Sequence, residues 1–229
     1  MIDIKTVGTI ISVTMSVIES VAPKLQQSMK DFAERMINLS EKYPNLAEFA
    51  QMIDKAADIM GDVLYALGIN ADPADELGAK VEQADKGLNE FDSIESYINY
   101  LKDEIELDKE KFNSLSEEER VAYSITGMAV EAGAINEKIG SIIPADVVEL
   151  VAKVAGIGRI DVKANDIVSV TSILKDEGVA NLGDVCDCLM GEGDSDRLKT
   201  GEALIKAFNV IHPNEGNNIL NEVIDEVRK

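Results

Sequence analysis

Apolar residues recur at helical spacing along almost the whole chain, and this leaves room for little besides an all-α fold. In "YPNLAEFAQMIDKAADIMGDVLYALGI" (43–69), Leu46, Phe49, Ile53, Ala56, Ala57, Met60, Val63 and Leu64 fall on one helical face. Pro44 suits the first turn, where a missing N–H costs nothing. Gly68 stands where a glycine closes a helix. Upstream, Val7, Ile10, Ile11, Ile18, Val21 and Leu25 make a second stripe, which Pro23 should break. The alternation that marks strands is nearly absent. Aromatic residues are 4% of the chain and Trp is missing, so the core must come from Ile, Val, Leu, Ala and Met.

Further helices announce themselves by their ends. In "DPADELGAKVEQADKG" (72–87), Asp72 reads as the N-cap, Pro73 as the first helical residue and Gly87 as the stop. Asp92 and Glu95 have capping-box spacing, as do Ser116 and Glu119 ahead of "RVAYSITGMAVEAGAINEKIG". Pro144 opens another helical pattern, and residues 161–229 hold three or four more. The charged link "KDEIELDKEKFNS" (102–114) reads as a solvated loop.

The region after residue 68 looks doubled. At an offset of 91, Asp75 falls on Asp166, Leu77 on Val168, Gly87 on Gly178, Ile94 on Val185 and Ile98 on Leu189. Further on the offset becomes 77, pairing Arg120 with Arg197 and Glu149 with Glu226. The expected architecture is therefore a multi-helix array. An N-terminal helical segment (1–68) precedes two similar helical modules, 69–154 and 160–229.

Charge follows the same division. The chain carries −21 overall, but residues 1–67 carry only −3 and residues 68–229 carry −18. An acidic body repels phosphate backbones, so no direct nucleic-acid contact is expected. It serves solubility, or it meets a basic partner, or it imitates a nucleic acid. The most apolar stretch, "TVGTIISVTMSVIESVAP" (6–23), carries Glu19 and several hydroxyls. It falls short of the ~20 apolar residues that a membrane span needs. It also lacks the basic start and cleavage site of a signal peptide. The expected location is the cytoplasm, with signal-independent secretion left open.

The residues "ADELGAKVEQADKGLNEFDSIESYINYL" followed by "LSEEERVAYSITG" resemble uncharacterised acidic helical proteins of Gram-positive bacteria. The resemblance covers residues 70–229. It implies a bacterial origin and brings no activity, cofactor or catalytic residue.

Chemistry is hard to find. The single histidine, His212, has no serine or cysteine near it in sequence, so a nucleophilic triad lacks support. "GIGRID" (156–161) has Asp161 where a dinucleotide-binding loop needs its third glycine, and it follows a helical pattern rather than a strand. "EGDSD" (192–196) has an acidic spacing suited to calcium, but Arg197 and Ala203 occupy the two diagnostic positions. Cys186 and Cys188 offer too few ligands for zinc. In "GDVCDCLMGEGDSD" (183–196), Cys188 should lie on an apolar face with Val185 and Leu189, while Cys186 points elsewhere. Gly191 should end that helix, and Asp194 or Ser195 should cap the next. Paired carboxylates are plentiful, but among 43 acidic residues closeness in sequence singles out no pair.

The expectation is thus a non-catalytic protein-interaction module without a metal or cofactor. It would act as an adaptor, an accessory factor of a secretion or mobile-element locus, or a toxin neutraliser. Its partner is another protein, and a basic one would suit the charge. The low-charge N-terminal segment either packs on the rest of the chain or exposes an apolar face, with Ile10, Ile11, Met15 and Ile18 as the interface for a partner or for self-association. The alternative is an acidic nucleic-acid mimic that inhibits a DNA- or RNA-binding enzyme. A mimic should lose its partner steeply as salt rises. An apolar N-terminal interface should tolerate salt and fail when Ile10, Ile11 and Ile18 are made polar.

Overall fold

The computed structural model describes residues 4–43, 45–140, 143, 145, 147–148, 163–179, 182–191 and 197–228. All regular structure among them is helical: α1 (Ile4–Val21), α2 (Gln27–Leu39), α3 (Leu46–Ala66), α4 (Ala74–Gln83), α5 (Ile94–Glu104), α6 (Lys109–Asn113), α7 (Glu117–Ile139), α8 (Ala164–Asp176), α9 (Leu182–Met190), α10 (Arg197–Ile211) and α11 (Gly216–Val227). The chain divides into two compact units, Met1–Ile135 and Asn136–Lys229. The N-terminal segment therefore shares a unit with α4 and α5 instead of standing apart, and the division falls within the stretch 69–154.

The helix ends follow local chemistry. Pro23 ends α1, and the chain passes through a single tight turn, Ala22–Lys24. Asn45 caps α3 by accepting the Glu48 N–H at 3.0 Å, and Glu48 returns the contact to the Asn45 amide. Pro44 lies outside the described residues. Gly68, at φ +84, closes α3: its N–H donates to the Tyr65 carbonyl and that of Ile69 to the Leu64 carbonyl. Ser116 and Glu119 form the reciprocal box expected at the start of α7.

Three expectations shift. Pro73, not Asp72, immediately precedes α4, and the Asp72 carboxylate is taken up by the Lys80 ammonium at 2.6 Å. The α5 cap is Ser93, which accepts the Ser96 N–H, because the helix starts one residue later than the Asp92–Glu95 spacing implies. The charged link contains α6, capped by Asp108. Leu107, Phe112 and Leu115 pack there against Val17, Ala79, Ala122 and Tyr123. Its charges are solvated but its apolar residues anchor it.

In the first unit α7 is buried on every side from Val121 to Ile135. A helix that is apolar or small all round belongs in the centre of its unit. Small residues let its neighbours come close. A Cβ at Gly78 would run into the Tyr123 carbonyl, and one at Gly127 into the Ala74 carbonyl, so α4 and α7 touch backbone to backbone. Met29 of α2 and Ile94 of α5 press on α7 at Gly133. Phe49, Ile53, Leu64, Leu77, Ile98, Leu101, Ile125 and Met128 fill the remaining core. Lys24 reaches across to the end of α4 and donates to the Val81 and Glu82 carbonyls at 3.0 and 2.5 Å, satisfying acceptors the helix leaves open.

The second unit is built on Leu174, Val179, Leu182, Val185, Leu189, Leu204, Leu220 and Val223. Gly178, at φ +77, closes α8 with the same pair of hydrogen bonds that Gly68 gives α3. Gly87, its partner in the proposed repeat register, has φ −100 and precedes a tight turn after α4 has already ended at Gln83. The two glycines therefore differ in conformation.

Candidate functional site

One face of α3 is core: Phe49, Ile53, Ala56, Met60, Val63 and Leu64. The face beside it carries Asp54, Asp58 and Asp62 at i, i+4 and i+8, with Gly61 and Tyr65 at i+7 and i+11. Like charges four residues apart cost a helix roughly 0.2–0.5 kcal/mol per pair. Among the described residues no cation pairs with any of these three aspartates. Their charge is left to the space they face.

That space is a pocket of about 420 Å³. After Gly68 reverses the chain, the segment leading into α4 and the first turn of that helix bring Asp72 and Asp75 opposite the α3 stripe. From beneath, α7 contributes Ser124 and Glu131. Two of the facing carboxylates are already engaged. Asp72 holds Lys80 in a largely buried pair. Asp75 accepts the Glu76 N–H at 2.9 Å and lies 3.9 Å from the Arg120 guanidinium.

Glu131 forms the floor. It is 1% exposed, and its Oε2 has no hydrogen-bond partner among the described residues. Buried polar atoms nearly always have partners, so an orphaned carboxyl oxygen requires a reason. Burial, helped by the nearby Asp58 charge, raises the Glu131 carboxyl to about 8. Asp54 is raised too, first by burial and then by Asp58, Asp75 and Glu117. At neutral pH the site is a neutral acid on the floor beneath a rim of carboxylates. Tyr65 stands at that rim, 74% exposed.

The carboxylates surround a space instead of meeting at a point. Among the described residues no three His, Cys, Asp or Glu side chains converge closely enough to hold a metal ion. The described lining contains no histidine or cysteine. Chemically the lining offers a cation fixed negative charge in a concavity.

The residues singled out by sequence lie elsewhere. Ile18 is buried at 4% exposure, together with Val17 and Val21. Ile11 and Met15 are half-buried, and the Ile10 side chain lies outside the described residues. Cys186 is the buried thiol at 1%, whereas Cys188 is half-buried against the apolar cluster of the second unit. Cys188 thus lies with Val185 and Leu189 as expected, and Cys186, off that face, is nevertheless the more buried of the two. Gly191 does end α9, at φ +81, and residues 192–196 and 156–161 lie outside the described residues. His212 is half-buried just past α10, its N–H donating to the Phe208 carbonyl. No described helix is long and apolar enough to cross a membrane.

Comparison with protein-family models, curated proteins and solved structures gave no match.

The pocket was not singled out in the sequence, yet two signals there point to it. One is the spacing of Asp54, Asp58 and Asp62 along a single helix. The other is Glu131, the lone charge in "ITGMAVEAGAI" (125–135).

Proposed function

We propose that the protein is a non-catalytic interaction module that engages a basic protein partner through the acidic pocket of its first unit. Such a module fits the role of an adaptor, a secretion or mobile-element accessory factor, or a toxin neutraliser. The observation that carries the reading is the unpaired aspartate stripe on α3, set over the buried Glu131. The net charge of −21 supports it, since a strongly acidic surface draws basic partners together with it at long range. Burial of Ile18 makes the N-terminal segment the weaker candidate for the interface.

The test is affinity capture from the native host at low and high salt, with the wild type and with an Asp58→Asn/Asp62→Asn double variant. The expected partner is basic, is released as salt rises, and is missing from the variant even at low salt. A partner that survives high salt, ignores both substitutions and is lost when Ile11 and Met15 are made polar would overturn the reading. Capture of a DNA- or RNA-binding enzyme whose nucleic acid is displaced would instead favour the mimic.

A further inference from the structure

We propose that the pocket between α3, α4 and α7 is a receptor for a primary alkylammonium group, which passes the aspartate rim and docks on Glu131. The inference rests on the reading of this pocket as the binding surface. It adds the chemical class of the ligand and the residue that receives it.

The geometry selects the class. Beside the carboxylates and the polar Asn70 and Ser124, the lining offers small or apolar wall at Ala57, Gly61, Ile69, Ala71 and Ala74. A lysine-like chain lays a slim aliphatic stem on such walls while its charged head seeks carboxylates. Arginine suits the site less well: its guanidinium pairs with both oxygens of a carboxylate side by side, and it is a wider plane than an ammonium to bring onto a carboxyl that is 1% exposed with its Oε2 fully buried. Tyr65 at the rim gives a passing ammonium a ring face. The carboxyl of Glu131 reaches toward Gly61, where a Cβ would lie 4.0 Å from Oε1, so the absent side chain at 61 keeps the approach open.

An arriving ammonium also accounts for the orphaned oxygen. Charged groups facing Glu131 come from α3 (Asp54, Asp58, Asp62), from the segment before α4 (Asp72, already held by Lys80) and from α4 (Asp75, beside Arg120). The contacts that α2 and α5 make to this part of α7, through Met29 and Ile94, are apolar. Burial first and the Asp58 charge second therefore hold the proton on Glu131 at neutral pH. A docked ammonium reverses the balance, and the proton leaves to solvent as the ion pair forms. Binding and proton release are thus coupled.

Isothermal titration of the full chain at pH 7, in two buffers of different ionisation enthalpy, tests this with tetralysine peptide, tetra-arginine peptide and 1,5-diaminopentane. With Glu131 at about 8, each binding event should release close to one proton. Tetralysine should bind about tenfold or more tighter than tetra-arginine. Glu131→Gln should abolish the release and weaken binding by at least about tenfold. Glu34→Gln, which removes an exposed acid away from the pocket, should change neither. Competition between the diamine and the peptide for one site assigns a free amine as a sufficient ligand. Peptide binding that the diamine cannot displace assigns a lysine side chain presented by a protein. Equal binding of both peptides, or full lysine binding with proton release by Glu131→Gln, overturns the ammonium receptor. The broader reading then stands as long as Asp58→Asn/Asp62→Asn still weakens binding, and it falls with the receptor if that variant binds normally. A circular dichroism spectrum of Glu131→Gln matching the wild type excludes misfolding as the cause of any loss.

Discussion

Replacing Glu131 with glutamine should make the protein's stability less dependent on pH, and the size of the effect follows from the site. The folded state holds the Glu131 proton up to about pH 8, whereas the unfolded chain releases it near the ordinary value of 4.5. Between those values the folded state binds more protons, so stability falls as pH rises. The contribution is fully present below about pH 4.5, is lost progressively as pH rises, and levels off above about pH 8, where folded Glu131 also ionises. Each pKa unit is worth about 1.4 kcal/mol. Between pH 5 and pH 9 the wild type should therefore lose about 4 kcal/mol relative to Glu131→Gln. Asp54 is present in both proteins and cancels in the difference. Any fixed cost of seating an amide at this position does not vary with pH and drops out of the slope. Urea unfolding followed by far-ultraviolet circular dichroism, at one-unit pH steps, measures it. A difference that stays flat within about 1 kcal/mol would show that Glu131 is solvated or paired in solution, and the account of the pocket floor would fail.

Other substitutions probe the frame around the pocket. Gly127→Ala drives a methyl into the Ala74 carbonyl and should cost about 3 kcal/mol or more by thermal or urea unfolding, because backbone and not a flexible side chain must move. Gly61→Ala meets only an ordinary contact and replaces a mid-helix glycine. It should stabilise α3 by up to about 1 kcal/mol while weakening cation binding in the same titration. Asn45→Ala removes the α3 cap and should cost about 1 kcal/mol of unfolding free energy. Gly68→Ala forces a side chain to φ +84 and should lower unfolding stability by about 1 kcal/mol.

Much of this frame is legible in the sequence. The stripe from Leu46 to Leu64, the closing Gly68 and the Ser116–Glu119 box all act locally, and local signals survive folding. The caps of α4 and α5 lie one residue from where the sequence pattern puts them, because competing polar side chains sit side by side and tertiary contacts decide between them. Asp72 had a buried lysine to serve, and Ser93 was as good a cap as Asp92. The division at 135 is less legible still. It depends on α1 packing through Val17 on α4 and α7, far along the chain. The pocket lies at the end of this scale. Its stripe is local to α3, but its meaning depends on Glu131, dozens of residues away, arriving beneath it.

The acids outside the pocket sharpen its interpretation. If the negative charge of the first unit served solubility alone, its carboxylates would be spread over exposed positions and put to local use. Many are. Asp108 caps α6, Glu119 closes the box at α7, Glu48 answers Asn45, and Asp31 accepts from Gln27. Asp54, Asp58 and Asp62 are exposed as well, but among the described residues they have no such local use. They repel one another along one helix. Gly61 among them weakens that helix by roughly 1 kcal/mol relative to alanine. Glu131 is buried without a partner for Oε2, and Asp58 disfavours its ionisation further. Each feature is unfavourable by itself, and none of them offsets another. A cation entering from the rim changes the sign of all the electrostatic terms together: it screens the stripe, pairs the floor carboxyl and uses the opening that Gly61 leaves. The proposed cation site accounts for why these mutually unfavourable choices lie together in one concavity, which solubility alone would not require.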